Sequence, residues 1–223
     1  MEYFGNKSLL NDWFVINDFQ LNNISIKYYS LQDNYKLDEF CQVFYEKFKR
    51  NPYFVNKWYS TEKCYKFLLE EFSLNKLNKF DVLELGSGLG LTGVFIHHYF
   101  KNIFSLDYEF LSCCLSNKTS KLNSINNIFN LCCDWKYLPF KNRFKIIIGL
   151  DIIYEIENIQ PIINCLNSVL DTNGFFYLAN FNNIALSDFV RCLSLNPDFA
   201  ILLKKKVRHH NKQICIYKIL KKP

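Results

Sequence analysis

The spacing of apolar residues changes along the chain. In the amino-terminal part, alternation typical of strands is followed by spacing typical of helices. Over about the first 30 residues, apolar and polar positions alternate in "DWFVIND" and "NISIKYY", which predicts one or two short β-hairpins. The segment "YKLDEFCQVFYEKFKR" repeats phenylalanine at helical spacing and predicts a helix that stops at Asn51-Pro52. The segment "WYSTEKCYKFLLEEF" predicts a second amphipathic helix, with Ser60 or Thr61 as its N-cap.

From Phe80 onward, apolar runs typical of strands alternate with helical segments. The predicted strands are "FDVLEL", "IFSLD", "IFNLCCDW", "FKIIIGLDIIYE", "GFFYLANF", "FAILLKKK" and "QICIYKIL". The predicted helices are "LTGVFIHHYF", "EFLSCCLSNKTSKLNSI", "IENIQPIINCLNSVL" (closed by Asn173-Gly174) and "LSDFVRCLSL". Repeated β-α units predict an α/β fold with a doubly wound, mostly parallel, seven-stranded sheet. The last two strands, joined by a turn around His209-His210-Asn211, predict an antiparallel hairpin at its edge.

The chain has the size and composition of a globular protein. Its 223 residues are 49% hydrophobic and 22% charged, and no apolar run approaches the roughly 18 residues of a membrane span. The amino terminus carries an acidic residue at once and no basic region before an apolar core, so no signal peptide is expected. We expect an intracellular, cytoplasmic protein, with the nucleus as the alternative. Residues 1–56 are predicted as a hairpin and helical elaboration, and residues 57–223 as the α/β domain.

The nine cysteines predict neither a disulfide framework nor a metal site. They occupy positions 41, 64, 113, 114, 132, 133, 165, 192 and 215. None forms a C-x-x-C pair and their number is odd, so we expect free, reduced and mostly buried thiols. The four histidines match no metal-binding spacing, and no metal ligand is assigned.

Positive charge is spread over the chain, with one dense cluster. The formal net charge is +6, and the cluster is "KKKVRHH", from Lys204 to His210. It could contact a phosphate backbone or an acidic protein. The alternative is a solvated strand edge, where lysines discourage pairing with other edges.

A glycine-rich turn follows the first strand of the α/β part. In "FDVLELGSGLGLTG", four glycines fall within eight positions between a strand and a helix. Read from Gly88, "GLGLTG" satisfies the dinucleotide fingerprint. Read from Glu84, "ELGSGLG" is the acidic-G-x-G-x-G loop typical of S-adenosylmethionine (SAM) methyltransferases, with Gly86, Gly88 and Gly90 against the cofactor. The loop alone does not separate these two ligands.

The ends of the following strands favour SAM. In open α/β sheets, ligands bind beyond the carboxyl ends of the strands. The second strand ends at Asp107, which suits the paired hydroxyls of a ribose in either ligand. The third ends at Asp134-Trp135, an acceptor for an adenine amino group beside an aromatic ring. The fourth ends in "DIIY", with Asp151 and Tyr154 three residues apart, and no Y-x-x-x-K follows it to serve hydride transfer.

With these motifs in order, the chain resembles the seven-β-strand, Rossmann-like protein-lysine methyltransferases called methyltransferase family 16. The motifs are "VLELGSGLGLTG", the "DW" pair, "DIIY" and an upstream tryptophan, Trp58, that opens a helix facing the cofactor. The resemblance implies SAM as cofactor, with Asp151 and Tyr154 as catalytic residues. It implies a cofactor site made of Trp58, Glu84, Gly86, Gly88, Gly90, Asp107, Asp134 and Trp135. The chain departs from the family at Tyr59, at Lys136 and in a helical insertion over residues 33–52.

The resemblance also implies an activity and a class of partner. The activity is methyl transfer to a lysine side chain of a protein, and relatives modify translation factors, chaperones or calmodulin. A monomer is expected, with no membrane partner. A nucleic-acid base is disfavoured as the acceptor, because "DIIY" lacks both prolines of the N/D-P-P-Y/F/W motif. The alternatives are an arginine, histidine, RNA or small-molecule acceptor, a non-catalytic subunit of the same fold and, more distantly, a nicotinamide oxidoreductase.

Overall fold

The computed structural model describes residues 13–21, 23–32, 34–56, 59–74, 76–209 and 211–223. The amino-terminal elements are strands β1 (Phe14–Leu21) and β2 (Ile24–Leu31), helix α1 (Asn34–Phe48), a 3₁₀ turn (Tyr53–Val55) and helix α2 (Tyr59–Ser73). The two strands pair antiparallel along their whole length, from Phe14 opposite Leu31 to Leu21 opposite Ile24. They form a separate two-stranded sheet, which confirms a hairpin in this region.

The main sheet has seven strands. The remaining strands are β3 (Asp81–Leu85), β4 (Asn102–Asp107), β5 (Ile128–Cys132), β6 (Phe144–Leu150), β7 (Leu170–Phe181), β8 (Phe199–His209) and β9 (Lys212–Lys221). The remaining helices are α3 (Leu91–Ile96), α4 (Phe110–Leu122), α5 (Ile159–Val169) and α6 (Ile184–Leu195), with 3₁₀ turns at His97–Tyr99 and Ile156–Asn158.

The strand order is β5-β4-β3-β6-β7-β9-β8, which is the predicted doubly wound arrangement. The first five strands in this order are parallel, and β9 pairs antiparallel with both β7 and β8. The chain leaves β3 toward β4 and β5, then crosses back to place β6 on the other side of β3. The strand order therefore reverses at β3 and β6, where ligands of such sheets bind. The fold class expected from the sequence is confirmed.

Hydrophobic cores cover both faces of the sheet. The face with α2, α3 and α4 also receives the amino-terminal hairpin, since Phe19 of β1 packs edge-on against Phe95 with 5.7 Å between ring centroids. In the same core, Tyr65 of α2 stacks on Phe95 at 4.4 Å. The other face is covered by α5 and α6. Burial on both faces explains why the central strands are apolar at nearly every position.

Two element predictions are wrong in detail. The helix "IENIQPIINCLNSVL" does not close at Asn173-Gly174, because α5 ends at Val169 and β7 begins at Leu170. The register of β6 and β7 shifts between Phe144 and Ile146, so the turn residues form a bulge inside the strand, with Asn173 at φ 58°. Likewise, "LTGVFIHHYF" is α-helical only to Ile96 and continues as a 3₁₀ turn.

The N-cap prediction for α2 is also wrong. This helix begins at Tyr59, so Ser60 lies inside its first turn and its hydroxyl is committed elsewhere, as described below. The helix predicted to stop at Asn51-Pro52 ends at Phe48, where Lys49 turns to φ 55°. The domain boundary at residue 56 stays a prediction.

The structure also tests the predictions about the cysteines, metal sites and membrane-spanning segments. All nine cysteines are free thiols. Four are buried, four are half-buried and Cys132 is exposed, so the expectation of a mostly buried set holds only in part. The described residues contain no cluster of three or more side chains suited to a metal ion. No helix in the described part of the chain has both the length and the apolar character needed to span a membrane.

Candidate functional site

A cleft of about 760 Å³ opens at the carboxyl ends of β3, β4 and β6. The walls come from the loop after β3, from the residues that follow β4 and β6, and from Trp135 beyond β5. The remaining wall is the segment between α1 and α2, through Tyr53 and Phe54 of the 3₁₀ turn and the Asn56 that follows it. The cleft therefore lies where the strand order reverses.

The glycine loop is held tightly against the sheet. The backbone N–H groups of Gly86 and Ser87 both donate to the Leu106 carbonyl, at 2.8 and 2.9 Å. Gly90 adopts φ 79°, and a Cβ there would lie 2.3 Å from Ser116 Oγ, so packing alone demands glycine. Gly88 adopts φ 51°, but a Cβ there would meet only the Phe54 carbonyl, at 3.5 Å. At Gly88, which lines the cleft, an added Cβ would therefore make only an ordinary van der Waals contact.

Asp107, at the end of β4, forms the floor of the cleft beside this loop. Its Oδ2 accepts a hydrogen bond from Gly88 N at 2.9 Å, and its Oδ1 accepts one from Glu109 N at 3.0 Å. Burial raises the pKa of Asp107 above its ordinary value, and these two N–H donors oppose that rise. The carboxylate is therefore fixed in place and joins the two strand ends that a nucleoside would span.

Glu84 lies on the underside of the loop and is not among the residues that line the cleft. Its Oε2 accepts a hydrogen bond from Ser105 Oγ of β4 at 2.6 Å. Burial raises the pKa of Glu84 to about 7, with the hydroxyls of Ser105 and Thr92 opposing the rise. Because Gly86 follows it by two residues, its contacts hold the start of the loop against β4.

Asp151 follows β6 and occupies the wall next to the glycine loop. It adopts a left-handed backbone at φ 54°, a conformation that asparagine and aspartate tolerate better than other non-glycine residues. Its carboxylate accepts hydrogen bonds from Ser60 Oγ and, at 3.2 Å, from Phe181 N. Burial raises the pKa of Asp151 to about 6, and these donors together with Lys212 oppose the rise. Two elements distant in sequence, α2 and β7, therefore fix its orientation.

Tyr154 lines the same cleft, and its ring packs against Tyr53 with 4.8 Å between centroids. Burial raises the pKa of the Tyr154 phenol well above its ordinary value, and the acidic groups of Tyr108 and Glu155 add to the rise. The phenol is therefore neutral at physiological pH and keeps its proton to donate. Asp151 and Tyr154 thus come together with the glycine loop and Asp107, as the sequence predicted.

The two residues predicted after β5, Asp134 and Trp135, do not both line the main cleft. Trp135 lines the cleft, whereas Asp134 lines an adjoining pocket of about 550 Å³ that shares Tyr108, Trp135 and Tyr154 with it. Asp134 Oδ1 accepts a hydrogen bond from Lys136 N at 2.9 Å. Trp58, predicted to face the cofactor, lies outside the described residues.

Sequence patterns missed several residues of the cleft. Tyr53 and Phe54 lie just beyond the predicted insertion over residues 33–52, and no role was predicted for them. Glu109 lines the cleft two residues after Asp107 and is paired with Arg50. Ser60 was interpreted as a helix cap. A local signal existed only for Glu109, because an acid directly after a strand and before a helix is also at the carboxyl edge of the sheet.

The residues present fit a nucleoside-bearing cofactor. Two buried polar atoms on the cleft wall, Ser87 Oγ and Trp135 Nε1, have no hydrogen-bond partner among the described residues. Buried polar groups are nearly always paired, so these two are placed to bind a ligand. The carboxylate of Asp107 suits a ribose, and Gly88 lines the same cleft. Apolar walls are supplied by Leu89, Leu91, Leu150 and Ile152. This donor set matches SAM, which needs no pyrophosphate site.

Three solved structures with the same fold are described as methylases or methyltransferases. The ribosomal protein L11 methylase of Lactobacillus delbrueckii subsp. bulgaricus is 18% identical, with a TM-score of 0.58 over 73% of this chain and 80% of that one. An rRNA methylase of Streptococcus thermophilus is 13% identical, with a TM-score of 0.59 over 75% and 99%. The N-methyltransferase NodS of Bradyrhizobium japonicum WM9, in complex with S-adenosylhomocysteine (SAH), is 11% identical, with a TM-score of 0.60 over 72% and 87%. No curated protein sequence matches the chain.

The fold is that of class I SAM-dependent methyltransferases, and the residues of the cleft fit their cofactor. Within this class, the family model described as lysine methyltransferase matches residues 54–195, more than half of the chain. The protein therefore belongs to the lysine methyltransferase family, methyltransferase family 16. The resemblance drawn from the sequence motifs is confirmed, and SAM is the cofactor.

Proposed function

We propose that the protein transfers the methyl group of SAM to a lysine side chain of a protein substrate. The observation that carries this proposal is the shared cleft: Asp151 and Tyr154 face the same space as Gly88 and Asp107 in a member of the lysine methyltransferase family. Among the expected substrates are translation factors, chaperones and calmodulin-like proteins. A monomeric, cytoplasmic enzyme, with the nucleus as the alternative location, stays a prediction.

The cofactor is held, in this proposal, by the loop Gly86, Gly88 and Gly90, by Asp107 and by Trp135. Asp107 accepts from the ribose hydroxyls, and the free Nε1 of Trp135 donates to the ligand. Asp134, in the adjoining pocket, and Trp58 complete the predicted set. Glu84 acts from beneath the loop as a positioning residue. When bound, SAM supplies an electrophilic methyl group on a sulfonium centre.

The acceptor lysine has to reach the cleft as a neutral amine. With an ordinary pKa near ~10.4, deprotonating it at neutral pH costs about 4–5 kcal/mol. Burial among aromatic side chains lowers this cost, because desolvation disfavours the ammonium form. The rings of Tyr53 and Tyr154 supply such a wall, and ring faces also attract the cation as it arrives.

Asp151 and Tyr154 orient the amine. With a pKa raised only to about 6, Asp151 is ionised at neutral pH and accepts a hydrogen bond from the amine. Its own orientation is held by Ser60 and Phe181. The neutral phenol of Tyr154 walls the channel and hydrogen-bonds to the amine. Such positioning of the nucleophile contributes several kcal/mol to catalysis.

The first experiment tests the cofactor site by calorimetric titration with SAH and, separately, NADH. We expect micromolar binding of SAH, none of NADH, and a loss of at least tenfold in SAH affinity for Asp107→Ala. The matched control is Asp81→Ala, which removes a carboxylate from the opposite end of β3, where it accepts from Asn102 Nδ2 at 2.9 Å. NADH binding in preference to SAH would contradict the proposal.

The second experiment tests the acceptor. The enzyme is incubated with deuterated SAM and a protein extract, and labelled residues are identified by mass spectrometry. Methylated lysine formed by the wild type but not by Asp151→Asn supports the proposal. If the label is found on arginine, histidine or RNA instead, that group is the acceptor and the proposal of lysine is wrong. SAH binding without any transfer would favour the alternative of a non-catalytic subunit.

A further inference from the structure

The end of the β8–β9 hairpin carries a dense patch of positive charge that the cofactor cleft does not use. We define the hairpin tip as residues 204–209 and 211–213. It contains five exposed cations and no acidic residue: Lys204, Lys205, Lys206, Arg208 and Lys212. Within the described part of the chain, none of the five forms an ion pair. Their charges are therefore available to a partner.

The hairpin tip lies beside the acceptor side of the cleft. Strand β8 runs parallel to β7, so its end is at the same edge of the sheet as Asp151. Asn182 N, just after β7, donates to the Gln213 carbonyl at 2.8 Å. Lys212 Nζ sits 5.0 Å from the centroid of the Phe181 ring, and Phe181 N donates to the Asp151 carboxylate. A single residue thus separates the tip from the proposed catalytic aspartate.

Protection of a sheet edge accounts for only part of this charge. Strand β8 is the outermost strand, and its lysines 204–206 discourage edge-to-edge pairing. Lys212, however, lies on β9 rather than on the outermost strand, at the end of the hairpin beyond the last β7–β9 pair, Phe181 with Ile214. The two other lysines of β9 have structural partners, since Lys218 pairs with Glu71 and Lys221 Nζ donates to the carbonyls of Asn167 and Leu170. Lys212 forms no ion pair among the described residues, although its charge acts on Asp151 and lowers the pKa of that carboxyl.

We propose that the hairpin tip binds an acidic segment of the protein substrate, close to the lysine that enters the cleft. This inference rests on the proposed function and adds the charge of the substrate to it. Complementary charge speeds encounter and sets register, which suits a patch at the rim of an active site. Acidic residues beside the substrate lysine would also offset the repulsion between its positive charge and that of the hairpin tip.

A peptide is favoured over a nucleic acid by what surrounds these cations. Surfaces that bind single strands combine positive charge with exposed aromatic rings on which bases stack. In the hairpin tip, the nearby rings are covered: Lys204 Nζ lies 5.8 Å from the ring centroid of the buried Tyr217, and Lys212 covers Phe181. The described tip residues include no exposed aromatic side chain.

The test measures the binding of defined probes to charge-reversed variants by fluorescence anisotropy at low salt. The probes are a labelled peptide of lysine flanked by glutamates, the same peptide with glutamine in place of glutamate, and a labelled oligouridine. The variant is Lys205→Glu/Arg208→Glu/Lys212→Glu. Its matched control is Lys79→Glu/Lys101→Glu/Lys141→Glu, which changes net charge equally at exposed positions before β3, β4 and β6, at the opposite edge of the sheet.

We expect the acidic peptide to bind, its glutamine counterpart to bind at least about tenfold more weakly, and the tip variant to lose about tenfold or more in affinity. The control variant should change the affinity by less than about threefold, and added salt should weaken binding. Equal losses in both variants, no binding of the acidic peptide, or tighter binding of oligouridine through the tip would each overturn the proposal. SAH titration of the wild type and the same variants separates the two proposals. If the wild type does not bind SAH, the proposed function is wrong. If the variants bind SAH normally but differ in peptide binding, the result concerns the hairpin tip alone.

Discussion

Arg50 forms a two-point ion pair with Glu109 across the mouth of the cleft. Arg50 Nη2 donates to Glu109 Oε2 at 2.9 Å, and Arg50 Nε contacts the other carboxylate oxygen. The guanidinium also lies 5.3 Å from the centroid of the Tyr108 ring. Glu109 is only 5% exposed and follows Asp107 by two residues. This pair therefore ties the segment after α1, which supplies Tyr53 and Phe54 to the cleft, to the end of β4.

Replacing Arg50 should loosen this wall. Arg50→Ala leaves the buried Glu109 carboxylate without its cation, and we expect a loss of about 1–3 kcal/mol in the free energy of unfolding, less than for a fully buried pair because Arg50 is half exposed. SAH affinity should fall several-fold, and Arg50→Lys should lie between. Urea unfolding and calorimetry measure both quantities.

The exposed pair Arg191–Asp188 provides the control for this prediction. Arg191→Ala should cost less than about 0.5 kcal/mol and leave SAH affinity unchanged. If Arg50→Ala behaves like Arg191→Ala, the pair does not hold the cleft together. Restored SAH affinity in Arg50→Glu/Glu109→Arg would show that the pairing itself, rather than either side chain, is what matters.

Removing the Ser60 hydroxyl should change the acidity of Asp151. The hydrogen bond from Ser60 lowers the pKa of Asp151 and opposes the effect of burial, so Ser60→Ala should raise this pKa above its value of about 6. Carbon-13 NMR of aspartate-labelled protein measures the titration, with Asp151→Asn identifying the signal. Ser73→Ala, at the far end of α2, should leave the titration unchanged, because among the described residues its hydroxyl donates to the Glu70 carbonyl and does not contact Asp151. An unchanged Asp151 in Ser60→Ala would disprove the contact.

Glu84 should make the protein less stable as the pH rises toward neutrality. Its pKa is 4.5 for the ordinary group and about 7 in the folded protein, so between these values the unfolded state releases a proton that the folded state retains. The free energy of unfolding should therefore fall across this window, by roughly 3 kcal/mol in total from this residue.

Glu84→Gln should remove this contribution to the pH dependence. Asp151, with a raised pKa of about 6, acts in the same direction but at lower pH. The difference in stability between wild type and Glu84→Gln cancels the contributions of Asp151 and of Asp107, whose pKa is also raised. This difference should change by roughly 1 kcal/mol from pH 6 to 7. Urea titrations at fixed pH, with Asp151→Asn as the control, measure this. A parallel decline in wild type and Glu84→Gln would rule out the assignment.

Alanine substitutions at two glycines of the loop should affect stability and SAH affinity differently. Gly90→Ala places a methyl group 2.3 Å from Ser116 Oγ and 2.7 Å from its Cα, at a positive φ, so we expect a loss of at least about 2 kcal/mol in stability. Gly88→Ala meets only one carbonyl, so its stability should fall by about 1 kcal/mol while SAH affinity falls at least tenfold. Thermal unfolding and calorimetry separate the two. Equal loss of stability in both would contradict the packing argument.

Much of this architecture could be predicted because local patterns carry it. Strands buried on both faces read as apolar runs, and the residues directly after β4 and β6 lie at one edge of a parallel sheet. Asp107, Asp151 and Tyr154 could therefore be expected in one cleft with the glycine loop. The resemblance to the family added the cofactor on the strength of motif order.

The missed features depend on contacts between distant segments. Ser60 and Asp151 are 91 positions apart, and Arg50 and Glu109 are 59 apart. The periodicity of apolar residues indicates which face of a helix or strand is buried. It does not indicate which polar side chain from a distant segment will form a hydrogen bond or ion pair with that element. The same applies to Asn173-Gly174: the turn signal is genuine, but tertiary pairing of β6 and β7 absorbs it into a bulge.

A line of phenylalanine rings runs from the amino-terminal hairpin to the cleft. Phe14 packs on Phe40 at 5.5 Å between ring centroids, and Phe40 packs on Phe54 at 6.4 Å. A shortened chain that began after this segment would present bare rings of α2 and α3 to water and would lack one side of its own binding site. The hairpin therefore packs in the same hydrophobic core as the segment that lines the cleft, and a truncation before α2 would remove both the cover of that core and one wall of the binding site.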